Sequence, residues 1–112
     1  MEERMQPDSA VVMYQRAIKQ SMASKDTKLI GLIYNQLGDL YLSHYLFNKS
    51  LLSYQSGLKY NQLFLDKINA SKSLRGIGKS YTYRSMPDSG LIYLSQALQL
   101  SESINDKEEV VR

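Results

Sequence analysis

The stretch PDSAVVMYQRAIKQS at residues 7–21 recurs almost unchanged as PDSGLIYLSQALQLS at residues 87–101. Halfway between these two copies, residues 47–61 carry a more diverged copy, FNKSLLSYQSGLKYN. Three copies at one spacing indicate an internal repeat of about 40 residues, within the range of about 20 to 50 that is typical of stacked arrays. In such arrays each unit buries its apolar face against the next.

Each copy has the apolar spacing of an amphipathic helix. In the middle copy, small or apolar residues occur at Ser50, Leu51, Tyr54, Gly57 and Leu58. This spacing is one face of a helical period, whereas a strand would alternate apolar and polar positions. We therefore predict two helices in each unit. Their predicted bounds are about residues 7–23, 27–44, 48–64, 67–84 and 88–104, with a partial sixth helix starting near residue 106.

Prolines and aspartates mark the predicted helix starts. Pro7 and Pro87 suit the first turn of a helix, where a missing N–H costs nothing. Asp8 and Asp88 follow them and favour the positive end of the helix dipole. A second set of aspartates shares one repeat column and is predicted to cap the other helix of each unit. These are Asp26, Asp66 and Asp106.

Small residues recur where the two helices of a unit are expected to meet. Gly38 and Gly78 share one column, and Ala17, Gly57 and Ala97 share another. Glycine inside a helix costs about 1 kcal/mol relative to alanine. We expect glycine to occur in these columns because it lets the two helices approach closely, which offsets that cost. We also expect the tyrosine columns to pack between helices.

Composition narrows the function classes. The chain of 112 residues has no cysteine and one histidine, His44, so we expect no disulfide, metal site, cofactor or thiol nucleophile. GIGKS at residues 76–80 resembles the end of a phosphate-binding loop, but the position that requires the first glycine of that motif is Ser73. We therefore expect no enzyme.

The net charge of +3 argues against nucleic-acid binding, and no apolar run is long enough for a membrane span. No signal peptide is visible, which favours a cytoplasmic location.

At its repeated residues the chain resembles the tetratricopeptide repeat family, whose first helix carries an aromatic, Leu-Gly and Tyr, and whose second carries small and aromatic residues. The matching residues are, in the first full unit, Tyr34, Leu37, Gly38, Tyr41, Ser50, Tyr54 and Gly57, and in the second, Leu74, Ile77, Gly78, Tyr81, Gly90, Leu94 and Ala97. The resemblance implies an all-α, right-handed α-solenoid of antiparallel helix pairs. The unit here is longer than the family's and lacks its closing proline, so HEAT-like helical pairs are the alternative fold.

The repeat also divides the chain into units. Residues 7–26 form the second helix of a partial unit, residues 27–66 and 67–106 form two full units, and residues 107–112 start a further helix. Because the chain begins and ends within a unit, we expect it to be a piece of a longer array. The first helix would then lack a partner, and its apolar edge favours a homodimer. That edge comprises Val11, Val12, Met13, Tyr14 and Ile18.

The resemblance implies that the first helix of each unit lines a concave groove. The residues at groove-facing positions are Asn35, Asp39, Lys72, Arg75 and Lys79. Residues 28–84 carry eight basic and two acidic side chains, and Lys72, Arg75 and Lys79 share one helical stripe. We therefore expect an interaction scaffold that holds an acidic side chain or a C-terminal carboxylate of a protein or peptide.

Two alternatives stay open. In the first, Asp39 pairs with Lys79 or Arg75 across adjacent units, and the stripe is only a solvated face. In the second, the chain is a sensory or regulatory part of a larger bacterial signalling or transcription-regulator protein, where such long-unit arrays lie beside an output domain.

Overall fold

The computed structural model describes the backbone of residues 2–25 and 27–111, and the side chains of residues 9–25 and 27–104. Within these ranges the protein consists of five helices and no strand. The helices are α1 (Glu2–Ala23), α2 (Ile30–Ser43), α3 (Phe47–Leu63), α4 (Lys67–Tyr83) and α5 (Pro87–Val111). The all-helical prediction is confirmed. None of these helices, over the residues described, combines the length and hydropathy that a membrane crossing needs.

Two predicted helix bounds are wrong. α1 begins at Glu2, so Pro7 lies inside the helix and not in its first turn; the residues before it, EERMQ, are good helix formers and extend the helix backwards. α5 runs without a break to Val111, so no separate sixth helix starts near residue 106. No proline or glycine follows Gly90, and nothing in the chain therefore stops α5 at the predicted place. Pro87 does begin α5, with Asp88 in its first turn, as predicted.

One predicted N-cap is present in the structure. Asp66 precedes α4, and its carboxylate accepts hydrogen bonds from the backbone N–H of Asn69 at 3.0 Å and from the side-chain amide of Asn69 at 2.7 Å. The prediction for Asp26, and that for the side chain of Asp106, lie outside the described residues. α2 starts at Ile30, and its N-cap residue Leu29 makes no side-chain cap bond.

The helices end in turns of one repeated type. Lys25, Tyr45, Leu65 and Ser85 have positive φ angles of 64°, 62°, 57° and 64° and follow one another at equal intervals along the chain. After Tyr45, Leu65 and Ser85, the backbone N–H of the next residue donates a hydrogen bond to a carbonyl near the end of the preceding helix. These bonds join Leu46 to Tyr41, Asp66 to Asn61 and Met86 to Tyr81, with N···O distances of 2.8 to 2.9 Å. These bonds are those of the Schellman motif, which satisfies carbonyls at a helix end. The short turns reverse the chain, so α2 to α5 alternate in direction.

The packing of the helices is asymmetric. Each helix packs against the next in the chain, and in the described part of the protein the only other pair in contact is α2 and α4. The first helices of the two full units are therefore together on one side, while α1, α3 and α5 stand apart on the other. This arrangement gives a flat array of 51 × 39 × 19 Å and leaves a groove between α1 and α3, with α2 as its floor.

Tyr54 of α3 forms the centre of the packing between the two units. Its side chain is 2 % exposed and lies where Gly38 of α2 and Gly76 of α4 approach it. Its hydroxyl donates a hydrogen bond to Asp39. In the second unit the side chain of Leu94 approaches Gly78 in a similar way, since a Cβ at residue 78 would lie 2.7 Å from Cγ of Leu94. The other residues matched to the repeat pattern are buried or half-buried: Tyr34, Leu37, Tyr41, Gly57, Ile77, Tyr81 and Ala97.

The apolar edge predicted on α1 is smaller in the structure than in the sequence. Ile18 is buried, and Val11 and Tyr14 are half-buried, because α1 packs against α2. Val12 and Met13 are left 49 % and 69 % exposed. Self-association through α1 would therefore depend on two side chains and not on five.

Candidate functional site

The predicted basic stripe is on the surface of α4. Lys72, Arg75 and Lys79 are all exposed. Asp39 of α2 is also exposed, and together with Lys79 it lines a pocket of about 400 Å³ near the turns that end α2 and α4. The carboxylate of Asp39 accepts a hydrogen bond from the hydroxyl of Tyr54. This hydrogen bond joins α3 to α2 within the first full unit, and Asp39 shares the pocket with Lys79.

Asn35 does not line an open groove, contrary to the prediction from the repeat pattern. It is 4 % exposed, and its amide nitrogen donates to the carbonyl of Asn69 at 3.0 Å. Its amide oxygen accepts from Ser73 at 2.6 Å, and Ser73 in turn accepts from Asn61 at 3.1 Å. This buried network joins α2, α3 and α4. Asn35 faces inward because α4 packs on that side of α2, which the repeat pattern does not reveal.

A larger groove lies between α1 and α3, and sequence reasoning did not predict it. Its volume is about 840 Å³. The floor is formed by Tyr34, Leu37 and Tyr41 of α2. One wall, from α1, consists of Val12, Gln15, Arg16, Ile18, Lys19 and Met22, and the other, from α3, of Lys49, Leu52, Ser53 and Ser56. We call this feature the α1–α3 groove.

The α1–α3 groove combines apolar surface with positive charge. Arg16, Lys19 and Lys49 are exposed along its walls, and no acidic side chain is among the described residues that line it. Lys49 lies over the ring of Tyr41, with its Nζ 5.8 Å from the ring centroid, which is within the range of a cation–π contact. Leu52 is 63 % exposed. The groove can therefore contact apolar and anionic groups at the same time.

Tyr34 is an uncharged side chain in the floor of the groove. Burial, and to a lesser extent the nearby Tyr60, raise the pKa of Tyr34 above its usual value of 10.0. The rings of Tyr34 and Tyr60 are stacked, with centroids 5.9 Å apart. The Tyr34 hydroxyl therefore keeps its proton at neutral pH and can act as a hydrogen-bond donor in the groove.

Residue size explains why the first unit has this groove. The residue equivalent to Ser53, one repeat later, is Tyr93. The ring of Tyr93 stacks on Tyr81, the equivalent of Tyr41, with centroids 5.6 Å apart. A tyrosine thus occupies, between α3 and α5, the space that serine leaves between α1 and α3. Comparing the two units column by column for side-chain volume is the sequence signal that could have found the groove.

No metal-binding cluster is present among the described side chains, since no group of three or more His, Cys, Asp or Glu residues there is arranged to hold an ion. Neither a protein-family model nor a curated protein sequence matches the chain. Among the described residues, the α1–α3 groove and the basic stripe of α4 are candidate binding surfaces.

Proposed function

We propose that the protein is a non-enzymatic interaction module that binds a segment of a partner protein in the α1–α3 groove. The observation that carries this proposal is the presence of Ser53 in the first unit where the second unit has Tyr93, which keeps the groove open over an apolar floor. A volume of about 840 Å³ lies within the roughly 300–1,000 Å³ of ligand-binding pockets. Helical segments commonly bind in such grooves through their apolar faces.

We also propose that the chain belongs with the tetratricopeptide repeats and forms a right-handed α-solenoid. Support comes from the placement of the residues that resemble the family pattern. Gly38 approaches the ring of Tyr54, and Gly78 approaches Leu94, so in both units the glycine of the first helix receives a large side chain of the second helix. The stripe of Lys72, Arg75 and Lys79 is a second candidate surface; it lies on an exposed helix face, and Lys79 lines the smaller pocket of about 400 Å³.

The test of the interaction module is a selection of peptides from a displayed library of helix-length segments with varied charge and apolar content. We expect the wild type to enrich binders and the Ser53→Tyr variant to lose them, because a tyrosine at residue 53 would fill the groove as Tyr93 does in the second unit. Ser95 of α5 is exposed, so Ser95→Tyr adds the same side chain elsewhere and should leave binding unchanged.

Circular dichroism and thermal melts establish whether each variant is folded. If no library peptide binds the wild type, or if folded Ser53→Tyr binds the selected peptides as well as the wild type does, the groove is not the binding site and the proposal fails.

A further inference from the structure

The chemistry of the α1–α3 groove restricts what can occupy it, if the proposed interaction function holds. The lining on α1 extends from Val12 to Met22, which at about 1.5 Å per residue is about 15 Å. That length matches about three turns of an α-helix. The groove opens between two helices whose described residues make no close backbone contact with each other, so one face of a bound helix can enter it and the opposite face can stay in water.

Positive charge is present on both walls. Arg16 and Lys19 lie on α1, and Lys49 lies on α3. A bound helix therefore meets cations along both of its edges, and apolar surface from Tyr34 of the floor and Leu52 of the α3 wall. A helix with basic edges would be repelled, because no carboxylate among the described residues lines the groove.

Phosphate groups also attract cations, so single-stranded nucleic acid is the competing occupant. Nucleic-acid grooves of this type need aromatic faces on which bases can stack. Here Tyr34 already stacks on Tyr60, and Lys49 lies over the ring of Tyr41. A protein neighbour thus covers one side of each tyrosine ring, and the exposed Leu52 favours the apolar face of a peptide over a row of stacked bases.

We infer that the α1–α3 groove takes an acidic amphipathic helix of a partner protein. Its apolar stripe would pack on Tyr34 and Leu52, and its carboxylates would lie against Arg16, Lys19 and Lys49. This inference rests on the proposed function and specifies the partner's chemistry.

The peptides selected above test the inference by their sequences. Those that require Ser53 should be acidic, with apolar residues at helical spacing and Glu or Asp on the flanks. Neutral or basic peptides that require Ser53 would overturn this inference and leave the interaction function standing. A failure to find any peptide that requires Ser53 would overturn both.

Charge reversal provides the direct test. Arg16→Glu with Lys19→Glu should weaken binding of a selected peptide, measured by fluorescence anisotropy, by about tenfold or more, because two attractions become repulsions. Lys59→Glu with Arg84→Glu makes the same change of net charge at two exposed residues that do not line the groove and should alter affinity by less than about twofold. Equal effects of the two pairs would overturn the inference, since they would reflect net charge alone.

Two further measurements cover folding and the competing ligand. Leu52 is 63 % exposed, so Leu52→Glu puts a carboxylate in the groove wall without disturbing the core and should also weaken binding about tenfold or more. A single-stranded oligonucleotide, used as a competitor, should not displace the peptide. Displacement of the peptide, or affinity unchanged in folded Leu52→Glu, would overturn the inference.

Discussion

Gly76→Ala adds one methyl group at a contact between the two units. A Cβ at residue 76 would lie 2.5 Å from both Cδ1 and Cζ of Tyr54, whereas carbon atoms in ordinary contact are about 3.5–4.0 Å apart. The ring has little room to move. A Cβ at Gly38 of α2 would lie 2.8 Å from the same ring, and Tyr54 is 2 % exposed. A shift away from α4 therefore presses the ring onto α2.

Two opposing terms set the size of the effect. Alanine stabilises a helix by about 1 kcal/mol relative to glycine, whereas overpacking a core costs about 1–3 kcal/mol. We expect overpacking to exceed the gain in helix propensity, because the contact is with a ring held between two helices. The net loss of unfolding free energy is then up to about 2 kcal/mol, or up to roughly 10 °C in Tm for a domain of this size.

Urea unfolding followed by circular dichroism measures this loss, and a double-mutant cycle identifies its cause. In a Tyr54→Leu background the ring is absent, and Gly76→Ala should become neutral or stabilising by up to about 1 kcal/mol. The reasoning would be refuted if Gly76→Ala alone unfolds at or above the wild-type urea midpoint. It would also be refuted if the substitution has the same effect in both backgrounds.

Three further changes test other parts of the fold. Leu65→Gly should stabilise the protein by about 0.5–1 kcal/mol in thermal melts. Leu65 is 82 % exposed and has a φ of 57°, a conformation that glycine adopts freely. An unchanged or lower Tm would contradict this account of the turn. Asn35→Leu should cost about 1–3 kcal/mol in urea unfolding, because it removes the hydrogen bonds to Asn69 and Ser73, and unchanged stability would show that the buried network is dispensable. Burial and the hydrogen bond to Asp39 raise the pKa of Tyr54 above 10.0. The unfolded state therefore releases this proton first, and the unfolding free energy should fall above about pH 10. In Tyr54→Phe the unfolding free energy should fall less steeply with pH, and an equally steep fall would show that other groups cause it.

Five helices and most of their ends could be predicted because they depend on local sequence, whereas the predicted partial sixth helix was wrong. The internal repeat and its helical apolar spacing specify helices wherever they occur, and Asp66 caps α4 through contacts with Asn69, one helical turn away. The turns were harder to place, because Tyr45, Leu65 and Ser85 adopt positive φ angles without the glycine that usually announces such a turn. The end of α5 could not be placed either, since the repeat suggested a boundary where no helix-breaking residue follows.

The candidate site was less predictable than the fold, and Asn35 shows why. The sequence by itself determined that residue 35 lies on a polar face of a first helix. Only the tertiary structure decided that α4 covers this face, where Ser73 and the carbonyl of Asn69 satisfy the amide. A helical period defines faces of one helix, but it does not say which neighbouring helix covers each face.

The α1–α3 groove depends even more on tertiary structure. Arg16 and Lys49 are distant in the sequence and lie on different helices. They line one groove because α1 and α3 both pack on α2, while the described residues of α1 and α3 make no close backbone contact. The sequence determined their charges, and it determined the serine at residue 53 in place of a tyrosine. The packing of three helices converted that small side chain into an open groove, because the volume of a cavity depends on the distances between elements as well as on the residues that line it.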